Sequence, residues 1–207
     1  EKKVTKSKAL FTPRFAQSPM GMFDFSDESL SMMAHRGYDA IDLWINGLNI
    51  THRGDYIDMP LLCERAEKYG IKVYMELYAP HHLSPYDEGA QEYYDNLYGK
   101  FFSFCPKLAG VTLVGEANGY ETTDTHEEVG SSKPGANYPD NIHNKKCKPG
   151  WWPCVDYPDF VRVIKNAVAK HKKDADVIIC SYNWGYAPEE LRVKLIENLP
   201  DGVSIMA

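Results

Sequence analysis

The chain has 207 residues, 43% of them hydrophobic and 25% charged, and a formal net charge of −6. That length and composition describe a globular chain able to bury a sizeable core, and they exclude a disordered or fibrous one. No run approaches the roughly 18 apolar residues of a membrane helix, and the opening segment is polar, with no signal-peptide core. The charge balance, with no basic cluster, argues against a nucleic-acid partner and for a neutral substrate. No membrane partner is expected, and location, secreted or cytoplasmic, stays open.

In chain order, the pattern alternates strands with helices. A strand is expected over residues 9–15, followed by a loop at 18–21. Ser26 is placed to cap a short helix with Leu30, Met33 and Ala34 at helical spacing, which stops at Gly37. The second strand is 40–46. Asp58 caps the next helix, Pro60 sits in its first turn, Leu61, Leu62, Ala66 and Tyr69 form its buried stripe, and Gly70 ends it. A third strand follows over 71–78, then a polar loop through His81, His82 and Pro85, then a helix from about 88 to 104. The run Leu108-Ala-Gly-Val-Thr-Leu-Val-Gly-Glu-Ala-Asn-Gly119 is a short buried strand ending in a glycine, one carboxylate and an asparagine. The longest irregular segment, 119–156, is rich in Gly, Pro, Asn and Asp, and loops of that length in compact domains are mostly functional or disordered. Its adjacent Trp151 and Trp152 favour a functional one, a loop over an active site. A fourth helix over 158–172 buries Phe160, Val161, Ile164 and Val168. A fifth strand covers 177–183, a helix opens at Pro188 with Leu191 and Leu195 inward, and a sixth strand begins at Val203.

Six strands alternating with five helices is the pattern of a parallel sheet wrapped by helices. A closed eightfold (β/α)₈ TIM barrel takes about 250 residues. The chain is therefore expected to be one α/β domain over 1–207, a partial barrel of about six strands truncated at its C-terminus. No Gly-rich phosphate loop follows the first strand, which disfavours an open doubly wound sheet.

Period two assigns side chains to the barrel interior. Asp42, Trp44 and Asn46 face inward from the second strand, Tyr74, Glu76 and Tyr78 from the third, and Thr112, Val114 and Glu116 from the fourth. On the fifth, Ile178 and Cys180 are expected outward, with Ser181 and Asn183 inward. Carboxylates converging on one face are costly to bury unless hydrogen bonded, which points to use. In parallel α/β sheets the carboxyl ends of strands carry the chemistry, so Glu116 is the leading candidate.

Fourteen Tyr and four Trp, several in loops, suit the faces of sugar rings. Of the five cysteines, Cys63, Cys105 and Cys180 read as small buried hydrophobes. Cys147 and Cys154 bracket Lys-Pro-Gly-Trp-Trp-Pro and suit a local disulfide in an oxidising compartment better than a zinc site. Asn49-Ile-Thr51 matches a glycosylation sequon.

The Gly-Glu-Ala-Asn strand end, with Ser181-Tyr-Asn-Trp184 and the early Pro13-Arg14-Phe15, resembles the broad superfamily of (β/α)₈ glycoside hydrolases whose acid/base glutamate closes strand four. The resemblance implies cleavage of O-glycosidic bonds in a neutral oligosaccharide or polysaccharide, with no cofactor. It makes Glu116 the proton donor to the glycosidic oxygen and Trp184 a stacking platform. Arg14, Trp44, Asn46, Glu76, Tyr78, His81, His82, Asn118, Trp151, Trp152 and Asn183 complete the expected sugar-binding set. Gly115 departs from the Asn that precedes this glutamate in the commonest retaining members. Hydrolysis needs a second carboxylate; Glu76 is the in-chain candidate, and many relatives carry it on a later strand. Gly37-Tyr-Asp-Ala-Ile-Asp-Leu-Trp and Ala66-Glu-Lys-Tyr-Gly-Ile-Lys-Val also resemble xylose-isomerase-like barrels. There Glu76, Glu116, His81 and His82 would hold a divalent metal. A non-catalytic sugar-binding barrel is the third reading.

Overall fold

The computed structural model describes residues 11–17, 25–77, 81–115, 120, 154–182 and 189–206. The elements run β1 (Phe15–Gln17), α1 (Asp27–His35), β2 (Ala40–Gly47), β3 (Ile50–Thr51), α2 (Met59–Lys68), β4 (Lys72–Leu77), α3 (Ala90–Phe104), β5 (Gly110–Val114), α4 (Tyr157–His171), β6 (Asp176–Cys180), α5 (Glu189–Asn198) and β7 (Val203–Met206). Strands β1, β2, β4, β5, β6 and β7 pair in that order, all parallel, and the sheet curls into a half-barrel, the partial TIM barrel expected. Among the described residues no helix is long and apolar enough to cross a membrane.

Local chemistry fixes the helix starts. The Ser26 hydroxyl accepts the Ser29 N–H at 3.2 Å, and the acidic Asp27 and Glu28 in the first turn suit the positive end of the helix. Asp58 Oδ1 accepts the Leu61 N–H at 3.0 Å, with Pro in the first turn where an N–H has no helical partner. The buried stripe of α2 is Met59, Leu62, Cys63 and Ala66. Leu61, expected inside, is 47% exposed, because a helix beginning at Met59 carries position 61 to its outer face.

The first strand also differs from expectation, beginning at Phe15. The Arg14 carbonyl accepts the N–H groups of Asp39 and Ala40, and the ladder with β2 starts there. The short β3 was not anticipated; it folds back antiparallel on the end of β2 through a turn in which Asn49 takes the left-handed φ of 58°.

One apolar cluster fills the space between sheet and helices. It includes Ile41, Leu43 and Ile45 from β2, Val73, Met75 and Leu77 from β4, Val111 and Leu113 from β5, and Phe160, Val161, Ile164 and Val168 from α4. A smaller cluster of Ala40, Tyr74 and Ile178, with Phe15, Ala109 and Met206 against it, lies on the concave face. This corrects the facing of β6: Val177 and Ile179 pack on the helices, whereas Ile178 and Cys180 belong to the inner parity. The run Val-Ile-Ile is apolar on both faces, so period two could not choose between them. Ser181 then falls on the helix-facing parity.

Two glycines permit close approach. A Cβ on Gly110 would lie 2.2 Å from the Asp176 carbonyl oxygen on β6. Gly110 stands in register between Tyr74 and Asp176, so with no side chain in the way the Tyr74 hydroxyl reaches across β5 and donates to Asp176 Oδ2 at 2.6 Å. On α3, Gly99 admits the His171 ring of α4; a Cβ there would come within 2.6 Å of its Nε2.

Candidate active site

Register stacks the inner face in layers. Gln17, Asp42, Tyr74, Gly110 and Asp176 form one; Trp44, Glu76, Thr112, Ile178 and Ser204 form the next toward the carboxyl ends; Val114, Cys180 and Met206 follow. Asp42 is wholly buried, and its Oδ2 accepts from Trp44 Nε1 at 3.3 Å and from Gln17 Nε2 at 3.4 Å. Burial raises the Asp42 carboxyl above the ordinary carboxylate range, and Thr112, Trp44, Gln17 and Glu76 beside it draw it partly back. Glu76 is 5% exposed. It lies in register with Trp44 on one side and Thr112 on the other, beside the Asp42 carboxyl.

Trp44, half-buried, is held from two sides. Asp42 takes its indole N–H, and the His52 ring stands edge-on to it with centroids 5.3 Å apart. The chain of β3 is tied down in turn. Trp44 O accepts the His52 N–H at 3.1 Å, and Asn46, exposed at the carboxyl end of β2, donates its side-chain amide to the His52 carbonyl at 2.8 Å. Burial first, and then Arg53, hold the His52 imidazole below its ordinary pKa, against Asp55, which raises it. The parts that Gln17 and His52 play in holding Asp42 and Trp44 were missed from sequence. The inward parity of Asp42 was the available signal, whereas His52 meets Trp44 only because of the unanticipated hairpin.

Three expected site residues stand elsewhere. Arg14 lies at the amino end of β1, paired with Asp39 just before β2 at 3.2 Å, at the opposite end of the sheet from the strand ends that would carry chemistry. His81 is 5% exposed and enclosed by the helices: its Nε2 shares a 2.8 Å hydrogen bond with the Tyr98 hydroxyl, and its ring meets Phe160 edge-on at 5.2 Å. His82 is exposed but packs edge-on against Tyr93 of α3 at 5.0 Å. The loop after β4 thus turns both imidazoles toward α3. Tyr78, Glu116, Asn118, Trp151, Trp152, Asn183 and Trp184 lie outside the described residues, as does Cys147 and with it the expected Cys147–Cys154 bond. At the two ends of the long segment, Tyr120 and Cys154 are buried, and the Tyr120 ring is 5.5 Å from that of Phe160. Among the described residues no group of three or more His, Cys, Asp or Glu side chains is arranged to hold a metal.

No protein-family model and no curated protein matches the chain. Solved structures do, most of those named being glycoside hydrolases with TIM-barrel-like folds. The chain is similar to an O-GlcNAc hydrolase mutant from Thermobaculum terrenum, with a TM-score of 0.53, 12% identity, and 86% of this chain covering 36% of that one. It is similar to CpGH84B, with a TM-score of 0.52, 11% identity, and coverage of 95% and 33%. A sugar phosphate isomerase/epimerase from Parabacteroides distasonis matches with a TM-score of 0.50, 11% identity, and coverage of 96% and 66%. Identities this low define a class by fold, the TIM barrel. The chain spans about a third of the length of the O-GlcNAc hydrolase and CpGH84B chains.

Proposed function

We propose that the chain is part of a glycoside hydrolase barrel acting on a neutral oligosaccharide or polysaccharide, with Glu116 as the proton donor. The observation that carries this reading is the polar floor of the inner face. Asp42, Trp44, Glu76 and Thr112 crowd together below the carboxyl end of β5, the strand that Gly115 and Glu116 follow in sequence. A barrel needs only apolar layers for stability, and a buried pair of acids holding an indole in one orientation is costly without a use.

In this reading the Trp44 ring offers a fixed aromatic face to a sugar and Asn46 a polar edge beside it. Tyr78, Asn118, Asn183 and Trp184 follow strands β4, β5 and β6 and would complete the cleft, with Trp151 and Trp152 reaching it from the 119–156 loop. Glu76, buried beside Asp42, serves to hold that acid. The second carboxylate then comes from elsewhere in the full-length protein. Chemically, Glu116 would protonate the departing oxygen while positive charge develops at the anomeric carbon.

The test uses full-length protein. Glu116→Gln should slow hydrolysis of a glycoside with a poor leaving group by about 10²–10⁴-fold, and bond breaking in an activated aryl glycoside far less, because that leaving group needs little protonation. Equal losses on both would assign Glu116 to metal binding or nucleophilic attack.

A sugar-phosphate isomerase or epimerase is the second reading, supported by the match of such a barrel over 96% of this chain at a TM-score of 0.50. Metal-dependent turnover of a free sugar or its phosphate, abolished by chelation, would establish it in place of hydrolysis.

A further inference from the structure

Helix α2 and the end of α3 each bring one cysteine to the same buried point. Cys63 lies on the inward stripe of α2, and Cys105 caps α3 immediately before Pro106. Their sulfurs are 3.4 Å apart, with 4% and 1% of the residues exposed. Both are free thiols in this structure. The turn that holds Cys105 is pinned by Lys172, whose Nζ donates to the Pro106 carbonyl at 3.1 Å and the Leu108 carbonyl at 2.8 Å.

The two thiols are unequal. The hydrogen bond between the two sulfurs pushes the Cys105 thiol down, against its burial, with further help from the backbone N–H groups of Leu108 and Lys107 and from the Lys172 charge. The same hydrogen bond, then burial, pushes Cys63 up. Either sulfur can begin a disulfide exchange once deprotonated, since the thiolate is the reactive form. Bringing the sulfurs from 3.4 Å to the roughly 2.0 Å of a bond takes a shift of about 1.4 Å.

We propose that Cys63 and Cys105 are joined by a disulfide when the protein folds in an oxidising compartment, tying α2 to the end of α3. The thiolate of one cysteine attacks a small-molecule or protein disulfide and displaces one thiolate, and the thiolate of the other then attacks the protein sulfur of the mixed disulfide and displaces the second. Two electrons and two protons leave with the oxidant, now two thiols. Burial places this exchange before α2 seats on the sheet, and afterwards it shields the bond from reductants.

The experiment takes full-length protein refolded in a glutathione redox buffer, alkylated under denaturing conditions and digested with trypsin. The expected product is peptide 54–65 linked to peptide 101–107, lost on reduction. Reduction should lower Tm by roughly 5–15 °C, from the typical stabilisation by a bond closing a loop of this size. The Cys63→Ala/Cys105→Ala variant should lose the dependence of Tm on reductant. Recovery of both cysteines fully alkylated from folded, oxidised wild type would overturn the proposal. So would linkage of either one to Cys147, Cys154 or Cys180.

Discussion

At the scale of single residues, His81 has the most definite solution behaviour. Burial, with a smaller contribution from the neighbouring His82 charge, holds its pKa down to about 4 from an ordinary 6.5. Between these values the unfolded chain binds the proton and the folded one does not, so stability rises with pH through that window and is lost as pH falls from about 6.5 toward 4. The loss attributable to this residue is about 3 kcal/mol. Denaturant titrations of wild type and His81→Gln across this range check it: the variant should show a slope shallower by up to one proton. Trp44 and Asp42 give a second expectation. Asp42→Asn keeps the shape but weakens the acceptor of the indole N–H, so Trp44 emission should change and KM rise several-fold with a smaller effect on kcat. An unchanged KM would remove Trp44 from the proposed substrate site. From sequence, His81 and His82 read alike as loop histidines. What separates them is Tyr94, Tyr98 and Phe160, which gather around His81 from two helices that meet only in the folded chain.

Among the elements, helix starts were legible because they are chemically local: Ser26 and Asp58 bond within their own first turns, as their spacing implies. Facing was legible wherever one side of a strand is polar, as in Asp42, Trp44 and Asn46, and illegible in β6, where both sides are apolar. The inner-face orientation of β6 is visible instead in its register with Thr112 and Val114 of β5. Gly110 is the sharpest constraint on this pairing. Gly110→Ala would drive a methyl group into the Asp176 backbone, which neither strand can vacate without breaking the ladder. The expected cost is about 3 kcal/mol, read as a fall in Tm of roughly 10 °C.

For the molecule as a whole, the alternation of strands and helices carried the half-barrel, because each βα unit is recorded in its own apolar periods. The closing of the site was not legible, since it depends on segments that follow the strands and on how they meet. In the half-barrel, β1 and β7 stand at the two ends of the sheet order, and β2, β4, β5 and β6 are paired on both sides. Amide exchange should be slowest in β4 and β5, the central pair of that order, and faster exchange there than in β2 or β6 would contradict it.

The bond from Tyr74 to Asp176 joins residues 102 positions apart and passes over a strand that must already be in place. Closing it early would require ordering most of the intervening chain before any return, so it belongs to the late stage of assembly. Tyr74→Phe should therefore leave the folding rate nearly unchanged and put its destabilisation, about 1–2 kcal/mol, into faster unfolding. The missing side chain at Gly110 thus gives the protein a latch that fastens only after β4, β5 and β6 lie side by side.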